Sequence, residues 1–206
     1  MTARVAVVDY GIGNLHSAHK ALVTVGADAS LTADVATIEA ADAVVLPGVG
    51  AFGACMDALR RAGLEEVTLG AARSGRPFLG ICVGMQMLFG GSVESPGVAG
   101  LGVIPGQVCW IEGDVKRPQI QWNVVHWRGA PDPLLAGLGD EPWFYFVHSL
   151  HGCPDDDAAV VATCDYGGPV NAVFRAGAVA AVQFHPEKSA ATGLGLLANF
   201  VAGVHP

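Results

Sequence analysis

The chain has 206 residues, 51% hydrophobic and only 15% charged, with a net charge of −8. That length suits one domain, predicted over residues 1–206, and the sparse charge predicts apolar surface that meets a partner. An acidic chain with no basic run excludes a nucleic-acid binder, and no apolar stretch is long enough to span a bilayer. Five cysteines without a C-x-x-C pair argue against a disulfide framework or zinc site. The opening strand, broken by Asp9, is no signal peptide. Both features fit a reducing cytoplasm.

In chain order, Arg4 to Asp9 is a β-branched run, as in a strand buried on both faces. Gly11 and Gly13 make a turn, and Asn14 to Val25 reads as a helix with Leu15, Ala18, Leu22 and Val25 on one face. The opening imitates a dinucleotide-binding fingerprint, but His16 occupies the third glycine position. His16 and His19 lie three apart with no third ligand nearby, so they read as helix surface rather than a metal site. A second strand is predicted at Asp28 to Leu31, a small helix near Val35 to Ala40, and a third strand at Ala43 to Leu46. Pro47-Gly48-Val49-Gly50 is either a plain turn or a nest of N–H groups able to hold an anion. Cys55 to Gly70 reads as one helix with Met56, Leu59, Gly63 and Val67 inward.

The apolar run Pro77-Phe78-Leu79 leads into Gly80-Ile81-Cys82-Val83-Gly84, and a helix-like segment, Met85 to Phe89, leads out. Strand, Gly-x-Cys-x-Gly, helix is the layout of a nucleophile elbow, in which the helix N-terminus faces the sulfur. A buried cysteine between two strand-end glycines is the plainer reading. The balance is tipped by Ala178 to Phe184, a strand that runs straight into His185-Pro186-Glu187. A cysteine nucleophile needs a base, and the base needs an orienting group. His185 and Glu187 supply both types. Gln86, four residues after Cys82, stays within a helical turn of the elbow.

After Gly90 the texture changes. Short β-rich runs at 107–111, 122–127, 143–147, 159–164 and 170–174 predict antiparallel strands beside the parallel sheet. His148 and His151 form an H-x-x-H spacing, but a strand end splays such a pair and no third ligand is evident, so no metal is predicted. Ala190 to Ala202 reads as a closing helix with Leu194, Leu197 and Val201 on its core face.

Gly80 to Gln86 together with Phe184-His185-Pro186-Glu187 resembles the class I, triad-type glutamine amidotransferases. Within that class, residues 8–15, 47–52, 122–123, 145–149 and 185–189 are similar to the glutaminase subunits of imidazole glycerol phosphate synthases. The likeness runs in order from near residue 5 to near residue 201. It implies an α/β, flavodoxin-like three-layer fold with a central, mostly parallel sheet, helices on both faces and added antiparallel strands. It implies that Cys82 attacks the side-chain amide of L-glutamine, with His185 as base and Glu187 as its orienting acid. Val49, Gly50 and Val83 would supply the oxyanion site. Gln86, Ser149 and Leu150 would hold the substrate. Asn14, Trp122, Asn123, His148 and Lys188 would face a cyclase subunit as heterodimer partner, which receives the ammonia. No cofactor is implied. In such subunits the Pro47–Gly50 segment would act as a switch, since rotating one peptide aims or withdraws an N–H donor. One departure is Gln121, where glycine is usual before the Trp-Asn pair, so the turn predicted there would differ. The competing readings are a glutaminase subunit of another pathway, such as anthranilate or pyridoxal phosphate synthesis, a free γ-glutamyl hydrolase, and a catalytically silent docking subunit.

Overall fold

The computed structural model describes residues 2–129 and 132–204. The elements follow in order as β1 (Arg4–Val8), α1 (Leu15–Thr24), β2 (Asp28–Thr32), α2 (Val35–Ala40), β3 (Ala43–Gly48), α3 (Phe52–Arg61), α4 (Glu65–Arg73), β4 (Phe78–Cys82) and α5 (Val83–Gln86). Then come β5 (Gly106–Trp110), β6 (Gln119–Val124), β7 (His126–Trp127), β8 (Trp143–His148), β9 (Leu150–Pro154), β10 (Val160–Asp165), β11 (Pro169–Ala176), β12 (Val179–Val182) and α6 (Ala190–Ala202).

The main sheet has eight strands in the order β2-β1-β3-β4-β12-β11-β10-β7. The pairs from β2 through β12 are parallel, and those from β12 to β7 are antiparallel. The reversal of strand order around β1, with right-handed crossovers, sends α1 and α2 to opposite faces. α1 packs with α6, and α2 with α4. β3, β4 and β12 are buried along their whole length, which is why they read as unbroken apolar runs rather than alternating ones. Two further antiparallel pairs, β5–β9 and β6–β8, lie outside the main sheet.

The structure departs from the sequence-based expectation in several places. The helix predicted from Cys55 to Gly70 is two helices, broken at Gly63 with φ +71°. Gly63 N–H donates to Arg60 and Leu64 N–H to Leu59, a Schellman closure that needs a left-handed residue. The helix after the elbow is a single turn rather than Met85 to Phe89. The carbonyls of Met87, Leu88 and Phe89 accept instead from the N–H groups of Leu101, Val103 and Gly102, so the following loop ends the helix. β9 is absent from the sequence-based expectation, because His151-Gly152-Cys153-Pro154 has weak strand composition. It forms because Gly152 lets β9 press on Phe89 and Phe174, where a Cβ would come within 2.4 Å of the Phe89 ring. Gln121 lies inside β6, paired with Phe146, and not in a turn. On α6 the buried residues are Gly193, Leu196, Leu197 and Phe200, while Leu194 and Val201 are only partly buried. The helix is apolar nearly all round, so its pattern could not single out one face.

Candidate active site

The sharp turn after β4 is built by removing side chains. Cys82 has φ 55° and ψ −116°, a strained conformation for a residue with a Cβ. At Gly84 an added Cβ would sit 1.9 Å from the Leu46 carbonyl oxygen, and at Gly80 it would sit 2.9 Å from the Met85 Cα. At Gly48 it would sit 2.6 Å from the Gly84 nitrogen. Backbone therefore packs on backbone between β3 and the elbow, and this close approach dictates the Gly-x-Cys-x-Gly spacing. Val83 is the first residue of α5, so its N–H has no acceptor within the helix. Because α5 is one turn long, its dipole contributes less to the sulfur than the sequence suggested. The charge partner of the sulfur is His185.

His185 follows β12, which is hydrogen-bonded alongside β4. Its Nδ1 lies 2.8 Å from Glu187 Oε1, and the two side chains are 3% and 2% exposed. Burial opposes a charged ring, but hydrogen bonds with Cys82 and Glu187 outweigh it and push His185 up to about 10. The main chain of His185 is fixed as tightly as its ring. His185 N–H donates to the Tyr145 carbonyl at 3.0 Å. The buried Ser189 hydroxyl donates to the His185 carbonyl at 2.6 Å and accepts from the Tyr145 N–H at 3.0 Å. Phe184 stacks on Phe144 with centroids 3.9 Å apart, which anchors the strand end before His185.

A cavity of about 570 Å³ opens over the sulfur. It is lined by Cys82, His185, Val49, Gly50, Val83, Gln86, Ser149, Leu150, Asn14, His148 and Lys188, all singled out in the sequence. Glu187 lies behind His185, out of the lining, and Asn14 Nδ2 reaches its Oε1 at 3.5 Å. Gln86 Nε2 donates to Gln183 Oε1 at 3.1 Å and to the Leu150 carbonyl at 3.4 Å. His148 Nδ1 lies 2.8 Å from the Leu150 carbonyl, which orders the segment after β8. Burial lowers His148 to about 4; the Leu150 hydrogen bond opposes this, and His151 and His185 reinforce it, so the ring is neutral at pH 7. His151 points elsewhere, its Nδ1 accepting from the Asn171 N–H at 3.2 Å. His19 Nε2 lies 2.9 Å from the Ala29 carbonyl. No group of three metal-ligating side chains occurs among the described residues.

Two of the expected partner-facing residues lie outside the cavity lining. Trp122 is 44% exposed on β6, and Asn123 donates to the Asp165 carbonyl at 2.8 Å. Sequence reasoning missed Gln183, fully buried, whose Nε2 is 3.9 Å from Cys82 Sγ. It also missed Glu94, which lines the cavity and accepts from the Phe52 N–H at 2.9 Å. Gln183 carried a signal, since a glutamine in an otherwise apolar buried strand needs partners. Glu94 sits in a glycine-rich loop with no local pattern to mark it.

The fold and the elbow define a class I glutamine amidotransferase, and the family model described as Glutamine amidotransferase class-I matches residues 6–204. A solved structure described as a glutamine amidotransferase superposes with a TM-score of 0.75 at 22% identity, covering 97% of this chain and 99% of that one. The imidazole glycerol phosphate synthase subunit HisH of Synechococcus elongatus is 50% identical over 206 residues, covering 98% of this chain and 94% of that protein. The subunit of the same name from Methanothermobacter thermautotrophicus is 49% identical over 197 residues, covering 96% and 97%. The chain belongs to this HisH family of glutamine amidotransferase subunits.

Proposed function

We propose that the protein, working as one domain over residues 1–206, hydrolyses L-glutamine to L-glutamate and ammonia through Cys82, His185 and Glu187. The ammonia passes to a cyclase subunit, bound as a heterodimer partner in the cytoplasm, which makes imidazole glycerol phosphate and aminoimidazole carboxamide ribotide for L-histidine biosynthesis. The observation that carries this reading is the strained Cys82 turn facing a buried His185–Glu187 pair at the base of one cavity. The partner and pathway rest on kinship with relatives named as subunits of imidazole glycerol phosphate synthase.

The chemistry follows from the placement. The Cys82 thiol proton moves to His185, and the thiolate attacks the γ-amide carbon of glutamine. The carbonyl π electrons move onto oxygen, which takes hydrogen bonds from the Val83 N–H and an N–H of the Val49–Gly50 segment. Glu187 holds the far ring nitrogen and steadies the imidazolium. The imidazolium then protonates the departing nitrogen, the C–N bond breaks, and ammonia leaves a thioester on sulfur. Water gives a proton to His185 and attacks the thioester carbon. The thiol returns with its proton, and glutamate is released. Sulfur, imidazole and carboxylate supply every step, so no cofactor enters. Gln86, Ser149 and Leu150 hold the substrate, and the Glu94 carboxylate faces its ammonium group.

An apolar face supports the partner. On one side of the β6–β8 pair, Ile120 lies opposite Val147, Trp122 opposite Tyr145, and Val124 opposite Trp143. Ile120, Trp122 and Trp143 are 59%, 44% and 52% exposed, whereas Val147 lines the cavity. An exposed aromatic face continuous with the cavity mouth is suited to a subunit that must collect ammonia there. The exposed Lys188 stands on the same rim.

The test is glutamine hydrolysis by this chain alone, then with the cyclase, then with the cyclase and its ribotide substrate. Strong stimulation by the liganded cyclase supports a gated, channelled amidotransferase. Full activity alone, unchanged by the cyclase, would instead identify a free hydrolase.

A further inference from the structure

The Pro47–Gly50 segment is held from behind by two buried side chains to which the chemistry above gives no task. Tyr10, just past β1, donates its phenolic hydrogen to the Pro47 carbonyl at 2.7 Å. Cys55, fully buried near the start of α3, donates its thiol hydrogen to the Val49 carbonyl at 3.2 Å. Burial raises the Tyr10 phenol far above the ordinary range, with Cys55 and then Cys82 adding to the shift. Burial likewise raises the Cys55 thiol. Both groups therefore keep the proton they donate. The Tyr10 hydroxyl also lies 3.8 Å from Met87 Sδ, just past the elbow.

Peptide geometry turns these contacts into an orienting device. In a trans peptide the carbonyl and the following N–H point in opposite directions. Tying the Val49 carbonyl to Cys55 turns the Gly50 N–H away from the core. Tying the Pro47 carbonyl to Tyr10 fixes the plane two upstream, that of the Gly48 N–H. Between them Gly48 has no side chain, and a Cβ there would lie 2.9 Å from the Tyr10 hydroxyl oxygen. Tyr10 thus presses the segment against the elbow, where Gly48 meets the Gly84 nitrogen. Two of three successive peptide planes are clamped by side chains, and Val49 and Gly50 open onto the cavity above Cys82.

We propose that Tyr10 and Cys55 are positioning residues for the oxyanion site: by holding the Pro47 and Val49 carbonyls they fix the course of the segment whose Val49–Gly50 stretch offers an N–H group to the oxygen of the reacting amide. This rests on the amidotransferase reading above. A donor fixed in advance stabilises charge as it develops without reorganising. Its misplacement is felt in the transition state and not in substrate binding.

The experiment compares wild type with Cys55→Ala, Cys55→Ser and Tyr10→Phe in the complex with the cyclase and its ribotide. For Cys55→Ala and Tyr10→Phe, kcat should fall about fivefold, the effect of one lost hydrogen bond, with KM for glutamine unchanged. Cys55→Ser keeps a donor of similar size and should stay within about twofold of wild type. The γ-aldehyde of glutamate, which forms a hemithioacetal on Cys82, should bind more weakly in step with kcat. Wild-type kcat in both Cys55→Ala and Tyr10→Phe would overturn the proposal. So would equal losses for the serine and alanine variants, or a change confined to KM. If Cys55→Ala does not fold, Tyr10→Phe, which deletes one oxygen, decides the matter. A wild-type complex without glutaminase activity would sink the amidotransferase reading and this proposal with it. An active wild type with indifferent variants would sink this proposal alone.

Discussion

His185 Nδ1 and Glu187 Oε1 meet at 2.8 Å with both side chains almost fully buried, and Asn14 stands 3.5 Å from the same carboxylate oxygen. The second oxygen, Oε2, is buried with no partner among the described residues. The carboxylate is therefore directed at the imidazole and at little else. This links a two-residue spacing in the sequence to the protonation state of the site.

The first prediction concerns pH. The His185 pKa is raised to about 10, so its ion pair stabilises the fold fully below the ordinary imidazole pKa and loses that contribution as pH rises through about 10. Glu187→Gln removes the charge that helps hold the proton. His185 should then titrate at lower pH than in wild type, and kcat should fall about a hundredfold or more. NMR titration of labelled histidine rings, beside glutaminase rates, checks both. A His185 titration identical in the two proteins would contradict the role given to Glu187.

The second prediction separates two glycines. Gly84→Ala would place a methyl group 1.9 Å from the Leu46 carbonyl oxygen, against β3 main chain rather than a side chain that could yield. It should destabilise the protein by about 3 kcal/mol or more. Gly70, exposed within α4, has nothing within 4 Å of its Cβ position. Gly70→Ala should stabilise by roughly 0.5–1 kcal/mol through helix propensity. Denaturant unfolding of the two variants reads both signs, and a tolerated Gly84→Ala would refute the packing account of the elbow.

Much of this was legible because the informative residues are tied to local backbone needs. Gly80 and Gly84 betray a close approach, and the β-branched runs at β1 and β3 betray strands covered on both faces. The alternation of strands and helices, and with it a parallel sheet covered on both faces, followed from those signals. What escaped was decided by partners distant in sequence. β9 exists because β5 and two phenylalanines receive it, and α5 ends early because residues 101–103 take the carbonyls of the residues that follow it. Gln183 reaches Cys82 through the placing of β12 beside β4, and Glu94 reaches the cavity through a loop's return, neither of which a window of neighbouring residues records.

Glu94 leads to the third prediction. It is the acid lining the cavity, and one of its oxygens already accepts from the Phe52 N–H at 2.9 Å. The other is left to face a cationic group, as the ammonium of glutamine would be. Glu94→Gln keeps size and loses the charge, so KM for glutamine should rise about tenfold or more, the scale of a charge-assisted hydrogen bond. kcat should change little, because the ammonium is remote from the reacting amide. Steady-state kinetics in the cyclase complex decides, and a loss confined to kcat would place Glu94 in the chemistry instead.

The fourth prediction tests the aromatic face. Trp122 packs edge-on to Tyr145 with centroids 6.2 Å apart, directly across the β6–β8 ladder, and keeps nearly half its surface exposed. A large aromatic side chain half out of water, beside a cavity mouth, is the kind of residue that dominates binding energy once a partner covers it. Trp122→Ala should weaken the cyclase complex by about 2 kcal/mol, roughly thirtyfold in Kd. Its glutaminase rate should recover at saturating cyclase, because Trp122 lies outside the cavity lining. Val23 offers a matched control: it is 48% exposed near the far end of α1, whose first turn is the end nearer the cavity. Val23→Ala should leave Kd unchanged. Titration calorimetry with the purified cyclase measures both. Equal affinities for wild type and Trp122→Ala would move the docking surface elsewhere, and the continuity of this face with the cavity would then need another explanation.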